Sequence, residues 1–130
     1  MIGLPSLTQL DRASSARIWW CLGPTDMRRG FDRLAEQALA VTRQDSQSGH
    51  LFVFRSRGGD RLKVLYWDRD GYCLWYQRLE EGTFKLPKVD LAQQAVELRA
   101  SELAMILDGI DLASVKRSPR YRRTEGGSEK

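Results

Sequence analysis

Histidine is almost missing from this chain and cysteine is scarce, with one His and two Cys among 130 residues. Structural zinc ordinarily takes four Cys or His ligands. His50, Cys21 and Cys73 cannot supply that number, so neither a metal nor another cofactor is expected. The two cysteines lie far apart and form no CxxC pair, which reads as two free thiols in a reducing compartment. No apolar run approaches the ~20 residues needed to span a bilayer. The first residues also lack a basic stretch followed by an apolar one. A cytoplasmic protein without membrane contact is expected. A charge excess is missing over most of the chain as well. The net +4 lies wholly in the tail from Lys116, where six basic residues meet two acidic ones, while positions 1–115 hold fifteen of each.

The same scarcity limits catalysis. Nucleophile-plus-base chemistry has only His50 to draw on, and neither cysteine sits in a recognisable motif. Asp68-Arg69-Asp70-Gly71 begins like a calcium loop but lacks the third ligand before the glycine and the closing glutamate. Gly58-Gly59 is followed by no GK[ST] and opens no helix, so it is not a phosphate loop. Asp26, Asp60, Asp68 and Asp70 could assemble a two-metal nuclease site. Three of the four stand in turns, where Asp is common for conformational reasons. No catalytic residue is assigned.

What the sequence does have is a dense β signal between Leu51 and Leu79. Three runs, Leu51–Arg55, Arg61–Trp67 and Tyr72–Leu79, are rich in Val, Leu, Phe, Tyr and Trp. Gly58-Gly59 and Asp70-Gly71 separate them and suit hairpin turns. Alternation from those turn centres puts Leu51, Val53, Leu62, Val64, Tyr66, Cys73 and Trp75 on one face. Phe52, Phe54, Lys63, Leu65, Trp67, Tyr72, Leu74 and Tyr76 fall on the other. Both faces are apolar, so both need cover: the chain's own helices on one, a partner or second copy on the other. Phe52, Phe54, Trp67, Tyr72 and Tyr76 are the candidate partner interface, and a homo-oligomer through that apolar face is a further possibility.

Around this meander, Arg17–Leu22 reads as a strand stopped by Gly23-Pro24. Thr25 suits an N-cap, and Met27, Phe31, Leu34 and Ala38 recur as one helical stripe, which predicts a helix over 26–41. Thr83–Leu86 suggests a short edge strand, Val96–Arg99 another strand, and Ser101-Glu102 the start of a second helix that stops at Gly109. The expected fold is α+β: a small antiparallel β-meander sheet with one long N-terminal amphipathic helix and a short C-terminal helix. It occupies a single globular domain, 17–115, between a weakly ordered lead-in, 1–16, and a disordered basic tail, 116–130.

Basic residues give the better functional hint. Arg28 and Arg29 open the first helix, Arg55, Arg57, Arg61 and Arg69 cluster at the meander's turns, and Lys63 lies on an aromatic face. Such residues can hold phosphates and flank stacked bases. The competing explanation is that nearby acids neutralise these arginines and the aromatics are core, which suits a body of zero net charge. Lys116, Arg117, Arg120, Arg122 and Arg123 form a cationic arm of the kind that adds salt-sensitive, sequence-independent nucleic-acid affinity. A purely solubilising tail is the rival.

Three segments together carry a resemblance: Gly23-Pro24-Thr25-Asp26-Met27-Arg28-Arg29-Gly30-Phe31-Asp32, Ser48-Gly49-His50-Leu51-Phe52-Val53-Phe54-Arg55, and Gly58 through Trp75. With the ending LAMILDGID over Leu103–Asp111, they resemble the small TnpB accessory proteins, the second-reading-frame products of IS-66 insertion sequences. These are distinct from the RNA-guided nuclease that shares the TnpB name. The resemblance implies a non-catalytic accessory of DNA transposition, encoded beside a larger DDE-type transposase, with no assigned catalytic residues. The implied partners are that transposase, the element's DNA, or both. Gln44-Asp45-Ser46-Gln47 departs from the Asp-Pro-Phe turn usual there, and Tyr66 from a common Trp. A metal-dependent nuclease using the turn carboxylates and a pure protein-interaction module stand as alternatives.

Overall fold

The computed structural model describes residues 16–86, 90 and 92–110. Five strands form one sheet in the order β4-β3-β2-β1-β5. They are β1 (Ile18–Thr25), β2 (Leu51–Ser56), β3 (Arg61–Asp68), β4 (Gly71–Arg78) and β5 (Ala95–Leu98). Helix α1 (Phe31–Thr42) connects β1 to β2, and α2 (Ala100–Leu107) follows β5.

The expected architecture is corrected here. The sheet is mixed rather than an antiparallel meander, because β1 pairs parallel to β2 with Ile18 beside Leu51 and Trp20 beside Val53. A parallel pair needs a crossover, and α1 supplies it. β5 then pairs antiparallel on the other side of β1. The long amphipathic helix expected over 26–41 is corrected to a shorter one: α1, the first helix among the described residues, has twelve residues and starts at Phe31. Thr25 is the last residue of β1, paired with Ser56, and is no N-cap. The strand runs through Gly23-Pro24 with a shift in register between Cys21 and Thr25, instead of stopping there. Thr83–Leu86 is not a strand. It is a loop that inserts Phe84, 1% exposed, into the core.

The face assignment within the meander agrees with the observed packing. Leu51, Val53, Leu62 and Val64 join Ile18, Trp20, Phe84, Leu98, Leu103 and Ile106 in one core cluster, which α2 covers. Phe52, Phe54 and Leu65 join Cys21, Leu34 and Ala38 in a second, which α1 covers. Each face is therefore covered in part by one of the chain's own helices, while β4 has no fully buried residue. α2 opens with the Glu102 carboxylate accepting the Arg99 N–H at 2.8 Å, a reach-back that satisfies a donor at the helix start. Among the described residues no helix is long and apolar enough to cross a membrane.

Candidate nucleic-acid interface

The segment Asp26–Gly30 leaves β1 and crosses the sheet before α1 begins. Asp26 shapes it. The Asp26 carboxylate accepts the Arg28 N–H at 2.9 Å, and the Arg28 guanidinium grips it through Nε at 3.0 Å and Nη2 at 2.9 Å. Those hydrogen bonds hold the Asp26 carboxyl well below the usual carboxylate range. Lys63 fixes the far end. Its side chain is 6% exposed, and its Nζ donates to the carbonyl oxygens of Met27 at 2.8 Å and Arg29 at 2.9 Å. The same ammonium lies 4.7 Å from the centre of the Tyr76 ring, an attractive position for a cation. Arg29 in turn donates to Gln37 at 2.8 Å, and Gln37 donates to Thr25 Oγ1 at 2.9 Å.

This pinned loop and the first turn of α1 shape two adjoining surface depressions. Asp26, Arg28, Arg29, Gly30 and Arg33 line one of about 420 Å³. Gly30, Phe31, Asp32, Arg33 and Tyr72 line the other, of about 460 Å³. An aromatic ledge borders the second: Phe31 stacks on Tyr72 with centroids 6.4 Å apart, and Trp67 meets Tyr72 edge-on at 5.0 Å. Tyr72 is also tied to Ser46 by a 2.6 Å hydroxyl pair. Phe31 remains 47% exposed, so its ring is open to solvent beside the charged groove.

The candidate residues divide by place. Arg28, Arg29, Arg61 and Lys63 share the α1 side, with Arg61 donating to the Tyr76 hydroxyl at 3.3 Å. Arg55 lies on the opposite face, where it donates to the Phe84 carbonyl oxygen at 2.8 Å. Arg57 is exposed in the β2–β3 turn. Arg69 stands in the β3–β4 turn, 3.9 Å from Asp68. Lys116, Arg117, Arg120, Arg122 and Arg123 lie outside the described residues, as do positions 1–15. Of the aromatic candidates, Phe52 and Phe54 are wholly buried beneath α1, whereas Tyr76 is 45% exposed and Trp67 and Tyr72 half-buried. Two residues of the groove, Phe31 and Arg33, were absent from the expected set. Gly30 was the available signal: a glycine disfavours a helix interior, and starting the helix after it puts both residues in the first turn.

Among the described residues no group of three or more His, Cys, Asp or Glu could hold a metal ion. Asp60 is engaged by Ser56 at 3.3 Å. It lies at the opposite end of β3 from Asp68 and Asp70.

Residues 16–117 match the family described as IS66 Orf2 like protein. The chain belongs to the IS66 Orf2-like family. It is thus an accessory protein associated with insertion sequences. Two relatives from Sinorhizobium fredii (strain NBRC 101917 / NGR234) span nearly the same length. The uncharacterized protein y4hO is 38% identical over 102 residues, covering 78% of this chain and 87% of the relative. The uncharacterized protein y4jC is 35% identical over 109 residues, covering 84% and 92%. No solved structure matches the chain. The matched region spans all the elements described here, from β1 through α2, so the groove belongs to the family segment and most of the basic tail does not.

Proposed function

We propose that this protein is a non-catalytic accessory of transposition that binds the element's DNA along the α1 side of the sheet and holds the transposase elsewhere on its surface. The observation that carries the DNA reading is the adjacency of Arg28, Arg29 and Arg33 to the Phe31–Tyr72–Trp67 ledge. Arginines at that position neutralise phosphates, and a half-exposed ring beside them offers a base a stacking partner. Asp26 and Asp32 leave the groove only slightly positive, so it sets position more than strength. The cationic tail supplies the larger, sequence-independent share of the attraction.

The test is binding of the full chain to element-end DNA across a salt series, alongside two variants: R28Q/R29Q/R33Q, and a tail variant with Lys116, Arg117, Arg120, Arg122 and Arg123 changed to Gln. Each arginine that contacts a phosphate contributes roughly one unit of log–log salt slope. The groove variant should lose part of the slope and the tail variant more of it. Equal affinities for all three proteins would remove the groove and the tail as DNA contacts, and no binding by any of them would remove DNA.

A second reading has its own support. The zero net charge of residues 1–115 and the exposure of Phe31, 47%, suit a protein partner at the same place. Transposase binding that competes with DNA at the groove would favour it.

A further inference from the structure

β4 is an edge of the sheet, and nothing among the described residues pairs its outer side. It is an unusual edge. It has eight residues, an unbroken register against β3, and no proline or charged side chain between Gly71 and Gln77. Natural edges ordinarily carry a bulge, a proline, an inward charge or great shortness to block further pairing. The opposite edge, β5, has only four residues.

Its free backbone groups can be named. Asp68 pairs with Gly71 across a two-residue turn, and the pair closing such a turn is a hydrogen-bonded one, after which bonded and non-bonded pairs alternate. Odd-numbered residues of β4 therefore bond to β3. The Leu79 N–H continues that series by donating to the Asp60 carbonyl oxygen at 2.7 Å. The N–H and C=O groups of Tyr72, Leu74, Tyr76 and Arg78 point outward.

Read in both directions from Leu74, the segment Asp70–Arg78 (DGYCLWYQR) complements itself. An antiparallel copy related by a two-fold axis at Leu74 sets Leu74 against Leu74 of the partner subunit in a hydrogen-bonded pair. Tyr72 then meets Tyr76 of the partner subunit, and Asp70 meets Arg78 of the partner subunit, each contact occurring twice. Aromatic and opposite-charge cross-strand pairs are the favourable ones. The outward groups fall on each other only when the two paired positions sum to an even number, which this register satisfies. We propose that the protein forms a symmetric dimer by β4-to-β4 pairing about Leu74, joining two sheets into one of ten strands. The occupant is a second copy because the edge carries its own complement in sequence, charge and hydrogen-bond phase.

The experiment is sedimentation equilibrium of the full chain with three surface variants: D70R, R78D, and D70R/R78D. Each single change converts two attractive contacts into repulsive ones and should raise the dimer dissociation constant roughly tenfold. The double change swaps the charges and should restore most of the loss. Hydrogen exchange gives a second readout, in which protection of the Tyr72, Leu74 and Tyr76 amides rises with protein concentration. A monomer up to the solubility limit would overturn the proposal. So would a dimer indifferent to the charge series, or protection of those amides that appears only when the transposase is added.

Discussion

The Lys63 ammonium donates to the Arg29 carbonyl oxygen at 2.9 Å, tying β3 to a loop that leaves the sheet from β1, two strands away. A second bond, to the Met27 carbonyl oxygen at 2.8 Å, makes the tether two-pronged. Lys63 is almost fully buried, and its ammonium is directed into this loop. Lys63→Met keeps the aliphatic stem and removes both bonds, and hydrogen bonds to a charged donor contribute about 1.5–3 kcal/mol each at most. The expected result in urea denaturation is a loss of about 3 kcal/mol, two such bonds at the low end of that range, the stem's packing being retained. DNA affinity should fall while its salt slope stays the same, since no phosphate contact is removed. A reduced slope would place Lys63 on the ligand instead.

Gly59 is a place where backbone and packing both demand glycine. Its φ is +81°, and a Cβ there would stand 2.3 Å from Arg55 Nη2 and 2.8 Å from Arg55 Cζ. The Arg55 guanidinium cannot swing aside freely, because its Nε is bonded to the Phe84 carbonyl oxygen and Phe84 N–H is bonded to the Gly59 carbonyl oxygen at 2.8 Å. Gly49 has φ +94° with no atom within 4 Å of the same construction. Gly49→Ala should therefore cost about 1 kcal/mol of left-handed strain alone. Gly59→Ala should cost that plus the Arg55–Phe84 contact, about 2–3 kcal/mol together. Thermal or urea unfolding of the two variants side by side measures the difference, and equal losses would mean that Arg55 moves at no cost.

His50 couples the start of β1 to the start of β2 and makes that contact sensitive to pH. Its Nδ1 accepts the Arg17 N–H at 2.9 Å, so this nitrogen must be unprotonated. Desolvation first, and then the Arg17 charge, lower the His50 pKa in the folded chain. The unfolded chain takes up this proton first, at about pH 6.5. The contribution is therefore fully present above that pH and is lost as pH falls towards the lower folded value. Urea midpoints between pH 8 and pH 5 should decline on the acid side, and His50→Ala should flatten that part of the decline. An unchanged profile in the variant would assign the acid loss to other groups.

How legible this fold was in the sequence depended on whether the determining contacts were local. The β2–β3 hairpin was readable because Gly58-Gly59 fixes its centre, and the observed pairing of Arg55 with Leu62 keeps that centre. The β3–β4 turn proved to be Arg69-Asp70, one residue earlier than Asp70-Gly71 suggested. Moving a turn centre by one residue slides the partner strand by two, which preserves the faces. That is why the side assignment agrees with the packing despite the shift. The parallel β1–β2 pair left no comparable mark. An apolar run such as Ile18–Leu22 does not name its neighbour, and only the crossover through α1 selects it. The groove was half legible. Arg28 and Arg29 were visible as a basic pair, but the buried lysine that holds them lies 34 residues from Arg29 in sequence, and no local pattern announces such a tether.

Arg43 ends α1 in a conformation better suited to glycine. Its φ is +61° and ψ 20°, and its N–H closes the helix on the Leu39 carbonyl oxygen at 2.9 Å. A left-handed residue at this position satisfies an otherwise orphaned carbonyl, and glycine adopts it without the Cβ clash that costs an L-residue about 1–2 kcal/mol. Arg43 is exposed, and among the described residues no ion pair involves it, so little is lost with its side chain. Part of the gain is offset by the greater freedom of glycine in the unfolded chain. Arg43→Gly should therefore stabilise the protein by about 0.5–1 kcal/mol, which a urea titration resolves. Arg43→Val should do the opposite, because branching at Cβ sharpens the same clash. If both variants destabilised the protein, the Arg43 side chain would be holding something that its position at the helix end does not explain.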